Sequence, residues 1–274
     1  MFYKAKNGRL SLDGTTMDYI VFGKGTEALI MLPGLGDGLK TVKGTAIPFA
    51  IMYKELAKRY TVYCFSRKNE LADNASTRSM AEDTYKAMRL LSIEKAHVLG
   101  VSMGGMIAQH LAVDHPDAVD KLILAVTAPN ISDKTSQALN RWIDMAKSGD
   151  HRSLMIDNVE SIYTEEYIKK KHYRAFYPLL THIGKPKSYS RFIIQANACL
   201  RHDATERLSE IKADTLVISG GKDTIIDADA SSILTLGIPC CKQKTYDALG
   251  HGAYEEADDF IKTVIEFISD TGPN

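Results

Sequence analysis

One serine, one aspartate and one histidine of this chain stand in settings that favour nucleophilic chemistry. Ser102 lies in a G-x-S-x-G segment, residues 100–104, between an apolar run at 96–99 and a helix-forming run at 103–113. A serine on a sharp turn between a strand and a helix has a strained backbone that exposes its hydroxyl, and flanking glycines permit the tight crossing. We therefore interpret Ser102 as a nucleophile.

His251 is the predicted base for this serine. A serine hydroxyl is a poor nucleophile near neutral pH, so it needs a base, and the base needs an acid to hold its tautomer. Among the eight histidines, His251 is the one predicted on a loop at the carboxyl end of a strand, where open α/β sheets bind their ligands. The others fall in predicted strands, helices or a helical insertion: His97, His110, His115, His151, His172, His182 and His202.

Asp223 is the predicted acid. It follows an apolar run at residues 215–219, so it also leaves the carboxyl end of a predicted strand. The chain order is then Ser, Asp, His, one of the orders known for this kind of triad. Asp227 is a competing aspartate, but its position before a helical run is typical of an N-cap. Asp133, which follows an earlier strand, is a second alternative.

Two backbone amides are predicted to stabilise a developing oxyanion, as acyl transfer requires. The Met103 amide follows the nucleophile at a helix N-terminus, where the helix dipole assists it. A glycine-rich turn at residues 33–36 follows another apolar run, and we expect its Leu35 amide to be the second donor. The turn has neither the G-x-G-x-x-G pattern nor the lysine of a P-loop, which argues against a phosphate site.

Strand-like and helix-like runs alternate along most of the chain, and this alternation predicts the scaffold that positions these residues. It indicates an α/β fold with a mainly parallel, doubly wound sheet covered by helices on both faces. The predicted strands are residues 17–22, 28–32, 61–65, 96–99, 121–126, 215–219 and 242–246. The predicted helices are residues 48–58, 79–91 with a capping box of Ser79 and Glu82, 103–114, 227–236 and 255–268.

Residues 129–211 interrupt this alternation, with helical periodicity, many aromatic residues and no convincing strand. We interpret them as a helical lid inserted between two parts of an α/β core, residues 1–128 and 212–274. The lid's aromatic rings either form the core of the lid, or two or three of them line an apolar substrate pocket, and the sequence does not say which. These rings are Trp142, Tyr163, Tyr167, Tyr173, Phe176, Tyr177 and Phe192.

Composition and charge narrow the class of partner. The 34 Lys and Arg residues balance 34 Asp and Glu residues, so no overall field attracts nucleic acid or an anionic membrane. A small-molecule substrate is the expected partner, and the sequence gives no oligomeric state. Neither a secretory signal nor a run of about 18 apolar residues is visible, which predicts a cytoplasmic location. The four cysteines lack C-x-x-C spacing and are interpreted as reduced and structural.

Four segments together resemble the α/β-hydrolase superfamily, over nearly the whole chain. They are residues 32–36 at the oxyanion turn, 100–105 at the nucleophile, 220–223 at the acid and 250–252 at the base. The chain is similar to the small lidded hydrolases that include enol-lactonases, esterases and carbon-carbon bond hydrolases. The resemblance implies acyl transfer to Ser102 and then to water, with no metal and no organic cofactor. A serine nucleophile argues against the dehalogenase and epoxide-hydrolase branches, which use aspartate.

The sequence therefore predicts a serine hydrolase of a small carboxylic ester, lactone or thioester. It departs from many relatives at Pro33, where they carry histidine, and at residues 66–70, which replace their Asp-x-Arg-Gly-x-Gly segment. Two alternatives stay open: a carbon-carbon bond hydrolase or perhydrolase with the same triad, and a ligand-binding receptor with little turnover. We find no lipid-scale apolar surface helix, which disfavours a true lipase.

Overall fold

The computed structural model describes residues 3–180 and 185–270, and one eight-stranded sheet runs through their centre. Its strands are β1 (Lys6–Leu12), β2 (Thr15–Gly23), β3 (Ala28–Leu32), β4 (Thr61–Lys68), β5 (Ala96–Val101), β6 (Val119–Ala125), β7 (Asp214–Gly220) and β8 (Cys241–Tyr246). They lie in the order β1-β2-β4-β3-β5-β6-β7-β8. β2 pairs antiparallel with β1 and β4, and the other pairs are parallel. The predicted α/β class with a mainly parallel sheet is confirmed.

Helices cover both faces of the sheet. They are α1 (Ala46–Met52), α2 (Lys54–Arg59), α3 (Thr77–Leu90), α4 (Met103–Asp114), α5 (Asp133–Ser148), α6 (His151–Ile162), α7 (Glu165–Lys170), α8 (Tyr173–Leu180), α9 (Ser190–Leu200), α10 (Ala228–Gly237), α11 (Ala253–Glu256) and α12 (Phe260–Ser269). Buried residues of α3, α4 and α10 join one apolar cluster, and those of α1, α2 and α12 join another. Neighbouring strand residues such as Val98 and Leu99 belong to opposite clusters. Burying each such side chain stabilises the fold by about 1.5–3 kcal/mol.

β1 is an edge strand that the sequence patterning missed. Its residues are mostly exposed or half-buried, and only Leu12 is buried. An edge strand with one solvated face carries no continuous apolar run, so the signal that marks the buried strands is absent.

Two predicted helices are each divided in the structure. The helix predicted at residues 48–58 consists of α1 and α2, separated at Tyr53, where the backbone leaves the helical region at φ −101° and ψ 35°. The helix predicted at residues 255–268 consists of α11 and α12. Apolar periodicity runs through both breaks, so the sequence pattern did not reveal them.

The predicted capping box of α3 is wrong by three residues. The Ser79 N–H donates to Ser76 Oγ at 3.0 Å, and the Ser76 N–H donates to Ser79 Oγ at 2.9 Å. Ser76 is thus the N-cap, and a serine takes the place that glutamate or glutamine usually has in this reciprocal pair. The helix begins one residue later, at Thr77.

The chain between β6 and β7 forms a helical insertion, α5 to α9. Asn130 and Asp203 pair in an isolated bridge that brings the two ends of the insertion together. α9 packs against a short 3₁₀ helix at Leu35–Gly38. His182, one of the histidines set aside above, lies outside the described residues. None of the described helices is both long and apolar enough to cross a membrane.

Candidate active site

Ser102 stands on the turn between β5 and α4, as predicted. Its backbone has φ 52° and ψ −119°, a strained conformation that costs about 1–3 kcal/mol for a residue with a side chain. The Ser102 N–H donates to the Ala125 carbonyl at 2.9 Å, and Thr127 Oγ1 donates to the Ser102 carbonyl at 2.8 Å. Bonds to the neighbouring strand β6 and the residues after it therefore hold the strained turn in place.

Glycines allow α4 to cross the sheet at this turn. A Cβ atom on Gly104 would lie 1.9 Å from the carbonyl oxygen of Leu32. A Cβ atom on Gly100 would lie 2.5 Å from the carbonyl oxygen of Gly104. Any larger residue at either position would push the helix away from the strands and displace the serine.

The structure brings Ser102, His251 and Asp223 together. His251 Nε2 lies 3.0 Å from Ser102 Oγ, and His251 Nδ1 lies 2.7 Å from Asp223 Oδ2. The other carboxylate oxygen of Asp223 accepts the N–H groups of Ile225 at 2.8 Å and Ile226 at 2.9 Å. Each side chain follows a parallel strand, β5, β7 or β8, so the shared direction of the strands places all three at one edge of the sheet.

The electrostatics of Asp223 suit a partner for a protonated imidazole. Burial acts to raise the pKa of this carboxyl group, but the positive charge of protonated His251 and the hydrogen bonds from His251, Ile226 and Ile225 outweigh burial. The pKa of Asp223 consequently lies below its ordinary value. The carboxylate stays ionised while His251 gains a proton, which stabilises the imidazolium.

The two alternative acids lie elsewhere. Asp227 precedes α10 as expected, but its side chain makes no capping bond and instead lies 3.6 Å from Lys134 Nζ. Asp133 is the first residue of α5. Asp223 is therefore the one of the three candidates that bonds to His251.

The predicted oxyanion donors lie on the two segments next to the serine. Met103 is the first residue of α4, and Leu35 is the first residue of the 3₁₀ helix at Leu35–Gly38. Amides in the first turn of a helix have no acceptor within it. A Cβ atom on Gly34 would lie 3.5 Å from Ser102 Cβ, so the turn that carries Leu35 lies directly beside the serine.

A cavity of about 280 Å³ opens at this edge of the sheet. Its lining is mostly apolar or aromatic: Met31, Leu32, Pro33, Gly34, Leu35, Gly36, Asp37, Phe49, Tyr53, Cys64, Leu99, Val101, Ser102, Trp142, Asn158, Ile162, His251, Tyr254 and Glu255. The insertion contributes Trp142, Asn158 and Ile162, and the core contributes the rest.

Of the two interpretations of the insertion's rings, the structure favours the lid core: of the seven named rings, Trp142 is the one that lines this cavity. Phe192 is buried in the apolar core instead. Tyr163 packs against Tyr167 and Tyr173, with ring centroids 5.2 and 5.3 Å apart. Aromatic composition predicted rings in the insertion but could not say which of them face inward.

Sequence reasoning missed a group of three charged residues behind the oxyanion turn, which we call the arginine clamp: Asp37, Arg67 and Arg191. Asp37 Oδ2 accepts Arg191 Nη2 at 2.5 Å and the Arg67 N–H at 3.1 Å. Arg67 Nη2 donates to the Pro33 carbonyl. Residues 66–70 differ from the segment found in many relatives, and this difference could have drawn attention to Arg67. Nothing in the sequence marked Arg191 on α9.

Glu255 was also missed, although it lies four residues after His251 and lines the same cavity. As for metal ligands, no three His, Cys, Asp or Glu side chains are grouped to hold an ion in the part of the chain that the structure describes.

Comparison with known proteins finds that the chain is similar to several hydrolases. A family model described as the α/β-hydrolase fold matches residues 27–258. A 2-hydroxy-6-oxononadienedioate/2-hydroxy-6-oxononatrienedioate hydrolase from Pseudomonas putida is 26% identical, over 97% of this chain and 95% of its own length. The enol-lactonase of Burkholderia xenovorans LB400 has a similar structure, with a TM-score of 0.81 and 21% identity over 96% of this chain and 100% of that one. An esterase from Exiguobacterium antarcticum has a TM-score of 0.76 and 20% identity, over 96% and 99% of the two chains.

Proposed function

The chain belongs to the α/β-hydrolase fold family, and we propose that it is a serine hydrolase that cleaves a small carboxylic ester, lactone or thioester through an acyl-enzyme on Ser102. In this proposal His251 is the general base and Asp223 holds its tautomer. The observation that carries the proposal is the unbroken pair of contacts, 3.0 Å from Ser102 Oγ to His251 Nε2 and 2.7 Å from His251 Nδ1 to Asp223 Oδ2. Distances of this length permit direct proton transfer.

The reaction then has two halves. Ser102 Oγ attacks the carbonyl carbon while its proton moves to His251 Nε2, and the Leu35 and Met103 amides stabilise the oxyanion. His251 returns the proton to the leaving alcohol or thiol as the acyl-enzyme forms. Water then attacks the acyl carbon, its proton passes to His251, and that proton returns to Ser102 Oγ as the carboxylic acid leaves.

The cavity supports a small substrate. Its volume of about 280 Å³ lies near the lower end of ligand pockets, which begin at about 300 Å³. We propose that residues 129–211 form a lid over it, with residues 1–128 and 212–274 as the two parts of the core. We also propose that the protein acts on a small-molecule substrate and is located in the cytoplasm.

Carbon-carbon bond cleavage is the second candidate, because the relative from Pseudomonas putida is a hydrolase named for an oxononadienedioate. A dioate carries two carboxylates. Among the described residues that line the cavity none is Lys or Arg, and Glu255 adds a carboxyl group there. This charge distribution favours an ester-type substrate without carboxylates. A receptor with little turnover is the non-enzymatic alternative.

Labelling of Ser102 tests the proposal. A fluorophosphonate probe is expected to modify Ser102, identified by peptide mass spectrometry, and Ser102→Ala is expected to lose both the label and p-nitrophenyl acetate turnover. Loss of the nucleophile in a triad lowers kcat by about 10⁶-fold. The matched control is Ser232→Ala, at an exposed serine on α10, which should behave as the wild type. Turnover that persists in Ser102→Ala would refute the mechanism, and tight ligand retention without turnover would favour a receptor.

A further inference from the structure

Glu255 places a carboxyl group on the wall of the cavity. Its side chain has accessible surface, yet burial raises its pKa above the ordinary value for glutamate. Glu255 is among the residues that line the cavity, and enough protein surrounds its carboxyl group to raise the pKa. Any group of the substrate that reaches this wall therefore meets a poorly hydrated carboxyl group.

Tyrosine hydroxyls hold this carboxyl group in position. Tyr163 donates from its hydroxyl to Glu255 Oε2 at 2.5 Å. Burial raises the pKa values of Tyr163 and Tyr254, as does the nearby Glu255, so both phenols stay protonated and can donate. A carboxylate accepts about four hydrogen bonds, so the group keeps capacity for a ligand.

The adjacent Glu256 shows what a purely structural glutamate does here. Both of its oxygens bond to Thr164 of the insertion, at 2.9 Å from the backbone N–H and 2.5 Å from Oγ1. Glu256 thus joins the insertion to the core through both of its carboxylate oxygens. Glu255 lines the cavity, and the Tyr163 hydroxyl also links it to the insertion, beside the two bonds of Glu256.

Charge and aromatic faces around Glu255 favour a cation. No lysine or arginine is among the described residues that line the cavity, so Glu255 has no fixed positive partner there. The other lining carboxylate, Asp37, is already held by Arg191 and Arg67. Tyr53, Tyr254 and Trp142 line the same cavity, and aromatic faces attract ammonium groups.

We propose that Glu255 selects substrates by their charge: the cavity binds esters or thioesters that carry an ammonium group and disfavours those that carry a carboxylate. This inference rests on the serine hydrolase function proposed above. An ammonium group supplies the missing counter-charge and lies against aromatic rings. A substrate carboxylate at this wall would face a carboxyl group, with no lysine or arginine among the described lining residues, and like charges at close range disfavour binding.

Matched thioesters test this charge selection. The series is acetylthiocholine, its neutral isostere 3,3-dimethylbutyl thioacetate, and anionic 3-(acetylthio)propanoate. A second series carries the same three charges on the acyl side, as p-nitrophenyl esters. In at least one series we expect kcat/KM to be roughly 10-fold higher for the cation than for the neutral compound, and lowest for the anion. A screened ion pair near a protein surface is sufficient for such a factor.

Glu255→Gln is expected to reduce the cation-to-anion ratio of kcat/KM by about 10-fold or more. The control is Asp258→Asn, which makes the same change in net charge at an exposed position and should keep the wild-type ratio. A ratio that is the same in wild type and Glu255→Gln would overturn the inference. If Glu255→Gln is inactive, protection of Ser102 from fluorophosphonate is compared for choline and 3,3-dimethylbutanol. Equal protection of the wild type by the two would also overturn it.

The two proposals fail in different ways. If wild type and Ser102→Ala hydrolyse these substrates equally, the serine mechanism is wrong. If hydrolysis depends on Ser102 but neither series shows a charge preference, the mechanism stands and only the role of Glu255 is wrong.

Discussion

Two regions of this molecule treat buried polar groups in opposite ways. The rim is the set of loops after β5, β7 and β8 that carry Ser102, Asp223 and His251. The junction is where α9 and the residues after it pack on the core. At the rim, the serine hydroxyl, both imidazole nitrogens and both oxygens of Asp223 have protein partners at 2.7–3.0 Å. Within the described residues, several buried polar atoms of the junction have none.

The unpaired atoms of the junction lie close to the insertion. They include both side-chain polar atoms of Gln195, His110 Nδ1 and Asp37 Oδ1. A buried polar atom without a partner costs about 1–3 kcal/mol. The junction is therefore held mainly by apolar burial and the arginine clamp, and we expect it to be less stable than the rim. Hydrogen bonds thus fix the positions of the reacting side chains, whereas the contact between the insertion and the core leaves polar atoms unpaired.

The largest expected effect is at the rim. Asp223→Asn keeps the shape of the side chain but removes the charge that holds His251 in the correct tautomer. We expect kcat for p-nitrophenyl acetate to fall by about 10⁴-fold, the size of this effect in a serine protease triad. Steady-state kinetics with a folding check by circular dichroism measures it.

Asp227→Asn is the matched control for this change, because Asp227 lies on the same loop region and pairs with Lys134 rather than with His251. It should leave kcat within about 2-fold of the wild type, as expected for a weak surface ion pair. Equal losses of kcat in Asp223→Asn and Asp227→Asn would contradict the role of Asp223 as the partner of His251.

The second effect is acid instability of the junction. Burial lowers the pKa of His110 to about 4 and that of His202 to about 3, in the latter case with help from the charge of His110. Unfolded histidines have a pKa near 6.5, so below that pH the unfolded chain binds protons that the folded protein does not. The free energy of unfolding therefore falls as the pH drops from about 6.5 towards 4, by about 2–3 kcal/mol per histidine at pH 4.5.

Urea unfolding of wild type and His110→Phe at pH 7 and pH 4.5 checks this prediction. The variant should lose about 2–3 kcal/mol less stability between the two pH values than the wild type. Asp114, Asp203, Arg78 and Arg207 also act on His110, so the comparison uses the difference between pH values rather than absolute stability. The control is His172→Asn, at an exposed histidine, which should keep the wild-type pH dependence of the free energy of unfolding. If His110→Phe also keeps that pH dependence, the prediction for His110 is wrong.

The smallest effect links the two regions through the arginine clamp. Arg191 on α9 donates to Asp37 and to the Arg67 carbonyl, at 2.5 and 2.9 Å, so it ties the junction to the oxyanion turn. Arg191→Met should shift that turn and lower kcat by about 10-fold, less than the 10²–10³-fold loss of an entire oxyanion donor. KM should change little, because the turn acts on the transition state.

Arg152→Met, at an exposed arginine of α6, is the control for charge and should keep the wild-type kcat. Arg191→Lys should recover part of the lost activity by restoring one hydrogen bond to Asp37. A drop in melting temperature with kcat unchanged would show that Arg191 only stabilises the fold.

The elements that carry the candidate triad were predictable because their signals are local. Continuous apolar runs marked β5 and β7, and the residues after a buried parallel strand have only one edge of the sheet to occupy. The cap of α3 and the break at Tyr53 were not predictable in the same way. For the cap, sequence spacing favours Ser76 and Ser79 almost equally. For residues 46–59, it favours one continuous helix and two short helices almost equally.

The amino-acid sequence alone determined the α/β scaffold, the order of serine, aspartate and histidine, and the candidate oxyanion turn. Each follows from local periodicity and turn chemistry. Tertiary structure decided which groups surround the reacting serine: Tyr53, Tyr254 and Glu255 rather than most of the insertion's rings, and Arg191 behind the oxyanion turn. The reason is physical, because the rotation of a helix about its axis and its docking on the core are set by packing between residues far apart in the chain.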